Sequence, residues 1–336
     1  MTKETAQQRL FNRILSESET KGVAVKELCG LLKIAKSALY ERLSGTKPLS
    51  VIELTVLMEH YQIPAHQLFS ENPQHVLFDY VPLAYAAKKD EKPMERILSE
   101  LQNLARDPIG QVQYMAPDIP LFYYFLYKEL AYFKLYLYQH YKTTIPIHRL
   151  PKISFAAITK AEEKRFLKVA ELYAHIPSEE IWTKKAFAVT LDEIQYFVKA
   201  GLFQYPKEAL LLLDKMDELL EKMSLMASNK DKSIMTKSRK GGQSLTLFYN
   251  DFNKFNPTII TQKEGVQAVY VAYELPHYLK TENPAFISYS QDWFKRIKHK
   301  SIPVSENADV VQGQFFKVIK QRIRRDRRAL EKRVGD

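Results

Sequence analysis

A short segment near the N-terminus constrains the fold of this 336-residue chain more than any other part. It runs from residue 25 to residue 69 and contains the stretch V-K-E-L-C-G-L-L-K-I-A-K-S-A-L-Y-E-R-L. Apolar residues recur there at the spacing of two short helices, 26–32 and 36–43, that cross at a steep angle after a tight turn. The residues that would pack between these helices are Leu28, Leu31, Ile34, Leu39 and Leu43. The pattern predicts a helix-turn-helix unit.

Further residues extend this pattern on both sides of the turn. They are the small Cys29 and Ala35, Gly45 after the second helix, Pro48 and Ser50 before a third, then Leu54, and Leu68 in the ending I-P-A-H-Q-L-F. Over about a fifth of the chain, these residues resemble the XRE/Cro-type helix-turn-helix family of bacterial and phage repressors. One residue departs from the family pattern: Lys33 stands where glycine is most common, and positive φ at a non-glycine residue costs roughly 1 kcal/mol.

The resemblance implies a five-helix domain, residues 1–70, that binds specific sequences of double-stranded DNA, usually as a dimer on a palindromic operator. In this motif the N-terminal part of the second helix enters the major groove. We therefore expect Lys36, Ser37 and Tyr40 to face base edges, beside the small Ala35 at the start of the helix. Two flanking lysines are better placed to contact phosphates, which position a protein without reading sequence. They are Lys26 and Lys47.

Composition narrows the class of protein. No run of about 18 apolar residues occurs, so no membrane span is expected, and the N-terminal M-T-K-E-T-A-Q-Q-R-L lacks an apolar signal region. The one cysteine, Cys29, leaves no internal disulfide framework and fits a reducing cytoplasm. We expect a cytoplasmic protein in which Cys29 packs as a small buried residue.

The net charge of +11 is unevenly distributed along the chain. Residues 1–70 hold nine Lys and Arg against seven Asp and Glu, and residues 71–228 hold twenty against twenty-one. Residues 229–336 hold twenty-one against eleven, so that most of the excess lies far from the helix-turn-helix. A basic surplus favours polyanions through counterion release but does not identify which polyanion.

The middle of the chain carries helical patterns. A 3.6-residue apolar stripe covers 91–106, and the aromatic segment 119–141 fits either a helix or an alternating strand, of which length favours the helix. This segment is expected to be a core helix, with a partner-binding or ligand-lining helix as the alternative. Thr190 and Glu193 have the spacing of a capping box at the start of another helix. Residues 71–228 are therefore expected to form a helical bundle or short α-solenoid that dimerises and senses a signal.

The pattern changes after residue 244. Segments rich in β-branched and aromatic residues predict strands at 245–249, 258–262, 267–273 and 286–289, followed by helices at 292–300 and 310–333. This predicts a small basic α/β domain at 229–336. The expected fold is thus mainly α, with an N-terminal five-helix helix-turn-helix domain, a central helical bundle or short α-solenoid, and a small C-terminal α/β domain.

The last predicted helix carries an arginine cluster. Phe315, Phe316, Ile319 and Ile323 are spaced to dock on the protein body, which leaves four arginines outward: Arg324, Arg325, Arg327 and Arg328. Two interpretations stay open. The helix is either a solvated terminal helix or an auxiliary contact with DNA phosphates.

Motifs of catalysis are absent from the sequence. The eight histidines are scattered without metal-ligand spacing, and no nucleophile elbow, phosphate-binding loop or dinucleotide fingerprint occurs. Asp251, Glu274 and Lys263 lie on or beside predicted strands, as in some metal-dependent nucleases, but the carboxylate-x-lysine pairing is missing. We therefore expect no metal, no cofactor and no enzymatic activity.

These observations favour a bacterial-type transcriptional regulator that acts as a homodimer, with double-stranded DNA as its partner and a small molecule or peptide as effector. Two alternatives remain. In one, the aromatic helical region captures a protein or peptide and DNA binding only localises it. In the other, the N-terminal domain targets a DNA-processing enzyme.

Overall fold

The protein is described here by a computed structural model that covers most of the chain. The described residues are 5–17, 20–61, 63, 76–81, 93–140, 144–236, 242–251, 256–274, 277–305 and 312–335. The chain divides into two compact units, Met1–Leu77 and Phe78–Asp336. None of the helices in the described ranges combines the length and the apolar composition that crossing a bilayer requires.

The N-terminal unit packs its described helices around one small core. Leu10, Phe11 and Ile14 of the first helix meet Leu28, Leu39 and Leu57 of the others, and all six side chains are buried. Ser50 and Glu53 form a reciprocal capping box that fixes the start of the fourth helix. The helices are α1 (Ala6–Glu17), α2 (Lys21–Leu32), α3 (Lys36–Leu43) and α4 (Val51–His60). The segment 63–69, which completes the predicted five-helix pattern, lies outside the described residues apart from Ile63.

The second unit is built on a mixed sheet of eight strands. Their order is β1-β7-β6-β5-β2-β3-β4-β8, in which β2, β3 and β4 run parallel and all other neighbours are antiparallel. The strands are β1 (Asp79–Val81), β2 (Gln111–Met115), β3 (Ser178–Trp182), β4 (Leu245–Tyr249), β5 (Thr258–Lys263), β6 (Val266–Glu274), β7 (His277–Thr281) and β8 (Ile302–Pro303).

Helices connect these strands and cover both faces of the sheet. They are α5 (Pro93–Arg106), α6 (Leu121–Tyr124), α7 (Lys128–His140), α8 (Lys160–Ala174), α9 (Ala188–Lys199), α10 (Lys207–Asn229), α11 (Pro284–His299) and α12 (Gly313–Gly335), with short 3-10 turns at Ile147–Arg149, Phe155–Ala157 and Ser233–Met235. Successive strand residues point to opposite faces. Trp182 and Leu247 therefore join the large core formed with α5–α10 and α12. Ile181 and Phe248 pack instead against α11 on the other face.

The predicted fold class, mainly α with a five-helix helix-turn-helix domain, is wrong, because the chain is an α/β protein. Three strands that the sequence did not predict, β1, β2 and β3, lie within the supposed helical region 71–228. Strand β1 pairs with β7, β2 with β5 and β3 with β4, and all three partners belong to the C-terminal region. One sheet therefore unites the predicted central bundle and the predicted C-terminal domain into one compact unit.

Two local predictions are also wrong. Helix α9 begins at Ala188, two residues before the predicted capping box, and its cap residue Phe187 gives no side-chain hydrogen bond. Thr190 is buried and bonds the phenol of Tyr124 instead, while Glu193 forms an ion pair with Lys134. The predicted strand 286–289 lies inside α11, because the Asn283 side chain caps that helix and Pro284 starts it.

Candidate nucleic-acid interface

Helices α2 and α3 are joined by a three-residue turn. Lys33 ends α2 in the left-handed conformation, with φ 52° and ψ 43°, and its N–H donates to the carbonyl of Cys29. Ala35 is extended and leads directly into α3. Lys33 thus adopts the positive φ that its turn position predicts, and the chain reverses without a glycine. Cys29 is partly buried and lies against the core of this unit.

The inner face of α3 is fixed by one apolar and one charged residue. Leu39 is fully buried, and the nearly buried Arg42 donates to the carbonyl of Ala38 and pairs with Glu53 of α4 at 2.6 Å. Burial raises the pKa of Glu53, but hydrogen bonds from the Ser50 N–H and from Arg42 outweigh it, and the pKa lies below its ordinary value. The ion pair and the capping box of α4 therefore share one carboxylate, which ties α3 to α4.

The loop after α3 is held by a glutamine of α1. The side-chain nitrogen of Gln7 donates to the carbonyls of Arg42, at 2.7 Å, and of Lys47, at 2.9 Å. Its side-chain oxygen accepts from the N–H of Leu49 at 2.8 Å. One side chain thus satisfies three backbone groups of a loop whose own side chains are mostly exposed. Gln7 and Arg42 were not predicted from the sequence, whereas the Ser50-x-x-Glu53 spacing is a signal that could have identified Glu53.

The outer face of α3 carries the predicted base-contacting residues. Ala35, Lys36, Ser37 and Tyr40 are all exposed, with 51% of Tyr40 open to solvent. The cap residue of α3, Ala35, gives no side-chain hydrogen bond to this helix, and the first N–H groups of a helix have no partner within the helix. The surface therefore offers an ammonium group, two hydroxyl groups and backbone donors together. This combination suits an anionic ligand with hydrogen-bonding edges.

The residues predicted to contact phosphates lie in both units of the chain. Lys26 on α2 and Lys47 after α3 are exposed within the N-terminal unit. In the second unit the prediction that Phe315, Phe316, Ile319 and Ile323 of α12 dock inward is confirmed. Of the four arginines there, Arg324, Arg325 and Arg328 are exposed, whereas Arg327 pairs with Asp214 of α10 and with Glu331. These hydrogen bonds raise the pKa of Arg327, and they direct its guanidinium to the protein body.

The alternative nuclease centre is not assembled. Asp251 follows β4, where it accepts from the N–H of Lys184 and pairs with its ammonium group at 3.1 Å. Lys263 ends β5, which β2 and β3 separate from β4. Strand β5 runs antiparallel to the direction that β2, β3 and β4 share, so the C-terminal ends of β5 and β4 lie at opposite ends of the strands. Lys263 therefore lies at the opposite end of the sheet from Asp251. Glu274 ends β6, a further strand away. Within the described ranges, no group of three His, Cys, Asp or Glu side chains is placed to hold a metal ion.

Residues 119–140 of the aromatic segment and the residues around them belong to the hydrophobic core of the second unit. Tyr123, Tyr124, Phe125 and Phe133 are buried, as expected of core, but the segment forms two helices, α6 and α7, where one was predicted. Beneath them lies a buried polar group that we call the Glu180 cluster. It consists of Glu180, Tyr123, Tyr173, Ser178, Trp182 and Lys232, all buried between the sheet and the helices. Its polar atoms bond one another, which suits a structural role.

Comparison with protein-family models, with curated proteins and with solved structures found no match.

Proposed function

We propose that this protein binds specific sequences of double-stranded DNA through α3 and regulates transcription in the cytoplasm. The supporting observation is the two-faced character of α3. Its inner face is fixed by Leu39 and by the Arg42–Glu53 ion pair, while Lys36, Ser37 and Tyr40 are held outward. A rigid helix with exposed donors is what reading of the major groove requires, because base edges discriminate only against side chains held in register.

In this proposal each exposed residue has a distinct role. Lys36 donates to acceptor groups of a purine, Ser37 bonds a base or a nearby phosphate, and Tyr40 contributes its ring and hydroxyl. Ala35 lets the backbone approach the duplex closely. Lys26 and Lys47 neutralise phosphates on either side, which strengthens binding without adding sequence preference.

A homodimer belongs to the proposal because a single α3 reads few base pairs. Two copies related by a two-fold axis would read two half-sites about one helical turn apart. The second unit would then carry the dimer contact or respond to an effector, which is either a small molecule or a peptide.

The test is selection of binding sites from random duplexes with the full chain and with the double variant Lys36→Ala, Tyr40→Ala. We expect the native chain to enrich a two-fold sequence and the variant to enrich none. The matched control is Tyr205→Ala, Lys207→Ala in the second unit, because these two residues are also an exposed tyrosine and an exposed lysine. Circular dichroism and urea denaturation would verify that both variants fold. Full sequence preference in the α3 variant would refute the proposal.

A further inference from the structure

The cations of α12 fall into two groups with different surroundings. Those that flank its buried apolar face have carboxylate partners on neighbouring helices. Lys320 pairs with Glu221 of α10 at 2.8 Å, Arg322 pairs with Asp192 of α9 at 2.7 Å, and Arg327 pairs with Asp214. These contacts dock α12 on the body of the second unit and neutralise the charges that would otherwise lie at the junction.

Apart from Lys317, which is exposed near the start of α12, the remaining cations form an exposed band that we call the outer stripe. It consists of Arg324, Arg325, Arg328, Lys332 and Arg333. Arg325 shares the carboxylate of Asp326 with Arg322. The other four have no carboxylate partner in the part of the chain that the structure describes. Arg324, Arg328 and Lys332 recur at four-residue intervals and line one face of the helix, with Arg325 and Arg333 on the adjoining face.

This arrangement is unfavourable for an isolated helix. Arg324, Arg328 and Lys332 follow one another at four-residue intervals, and like charges at that spacing destabilise a helix. Lys332 and Arg333 lie in the last turn, where cations interact favourably with the helix dipole. Arg324 and Arg328 lie at least one turn earlier and gain little from it. An external polyanion would remove this repulsion.

The chemistry of the stripe favours the backbone of duplex DNA among polyanions. Binding to single strands uses aromatic side chains on which bases stack, and the stripe contains none. Binding of a helix to a membrane surface needs an apolar face that enters the lipid. That face of α12 is already occupied, because Phe315, Ile319 and Ile323 are buried in the protein core. Arginine, by contrast, matches phosphate with two parallel hydrogen bonds.

We infer that the outer stripe binds the phosphate backbone of duplex DNA without reading bases, an inference that rests on the proposed function for DNA as the polyanion. The second unit then adds sequence-independent affinity to the sequence preference of α3. Because both contacts belong to one chain, the second contact forms at a high effective concentration once the first has formed. Arg327, which the sequence grouped with the other arginines, does not belong to this surface.

The experiment measures how DNA affinity depends on salt in the triple variant Arg324→Gln, Arg328→Gln, Lys332→Gln. Each lost phosphate contact lowers the slope of log affinity against log salt by about 0.9. We therefore expect the slope to fall by about 2.7. When the salt concentration rises from 50 to 200 mM, the native chain should then lose roughly 40-fold more affinity than the variant loses. The matched control is Lys160→Gln, Lys164→Gln, Lys168→Gln, which removes three exposed lysines at the same spacing on α8. The control should keep the native slope.

Random-sequence duplex separates this inference from the proposed function. If α3 does not select sequences, the slope on random duplex still responds to the triple variant. If α3 selects sequences but the stripe does not bind DNA, the triple variant keeps the native slope on both the selected and the random duplex. That result overturns the inference. The double variant Arg324→Lys, Arg328→Lys keeps the charge and should keep the slope. Loss of binding to vesicles rich in anionic lipid, with unchanged DNA binding, would assign the stripe to membranes and also overturn it.

Discussion

The phenol of Tyr123 donates a 2.8 Å hydrogen bond to the carboxylate of Glu180, and both side chains are fully buried. Three further donors reach the same carboxylate: the phenol of Tyr173 at 2.7 Å, the hydroxyl of Ser178 at 2.8 Å and the indole of Trp182 at 3.0 Å. A buried carboxylate is tolerated only when its oxygens are bonded. Glu180 therefore ties the middle of the sheet to α6 and α8, and its replacement has a measurable consequence.

Replacing Glu180 with glutamine should destabilise the second unit by about 1 to 3 kcal/mol, because the amide nitrogen would replace the carboxylate oxygen that accepts from the Trp182 indole and would leave that buried donor unbonded. The neighbouring Glu179 provides the control. It lies half-buried on the opposite face, where it pairs with Lys298, so Glu179→Gln should cost no more than about 1 kcal/mol. Urea denaturation followed by circular dichroism measures both. Equal losses in the two variants would show that the Glu180 cluster has no special role.

Lys232 should make the stability of the second unit depend on pH. Its ammonium group donates to the carbonyl of Ile176 and, at 3.0 Å, to the hydroxyl of Ser178, with the Tyr173 ring 4.1 Å away. Burial lowers the pKa of Lys232 from 10.5 to about 7. Between pH 7 and 10 the unfolded chain therefore holds a proton that the folded chain lacks. Stability should rise with pH in this window, by at most about 1.4 kcal/mol per pH unit.

Urea denaturation at pH 7.5, 8.25 and 9 would measure this dependence. The variant Lys232→Met removes the titrating group and keeps an unbranched side chain in the same space. Its stability should rise less steeply with pH than that of the native chain, and the two should run parallel below pH 7, where Lys232 is protonated in both states. Parallel curves over the whole range would contradict the lowered pKa of Lys232.

The strands show which parts of such a fold are visible in the sequence. Strands β4, β5 and β6 were predicted, because each is a run of β-branched and aromatic residues. Strand β3 reads S-E-E-I-W and gives no such signal. Its Glu180 is buried among donors that include Tyr123, which is 57 residues away in sequence, and Tyr173 of the preceding helix. Strand formation here depends on tertiary contacts, which local propensity cannot express.

The candidate interface was more predictable than the fold. The outward position of Lys36, Ser37 and Tyr40 was predicted from the helix-turn-helix resemblance together with helical periodicity. The hydrogen bonds that hold the interface depend on residues far apart in sequence, such as Gln7 and Leu49, and no spacing rule connects them. The backbone conformation of Phe187 was not predictable from the sequence either. This residue is fully buried and has a φ of 69°, a conformation that glycine or asparagine normally adopts.

Gln7 should matter for DNA reading although it does not touch the outer face of α3. In Gln7→Ala the carbonyl of Lys47 and the N–H of Leu49 lose the side chain that bonds them, and the carbonyl of Arg42 keeps the N–H of Gly45. This should cost about 1 to 3 kcal/mol and loosen the end of α3. The control is Gln8→Ala, because the Gln8 side chain bonds only the nearby Thr5 among the described residues. Gln7→Ala should be less stable than Gln8→Ala in urea denaturation, and it should show less sequence preference in duplex binding. Native sequence preference in a destabilised Gln7→Ala would show that the loop does not position α3.

Lys26 and Lys47 should affect DNA binding differently from Lys36. Replacing either with glutamine removes one phosphate contact, so affinity should fall by the same factor for selected and random duplexes, and the salt slope should fall by about 0.9. Lys36→Ala should instead reduce the preference for the selected sequence, by roughly 1 to 3 kcal/mol for one lost base contact. Lys207→Gln, an exposed lysine of the second unit, is the control for removal of one positive charge. A change of preference in Lys26→Gln or Lys47→Gln would move that lysine from the phosphates to the base edges.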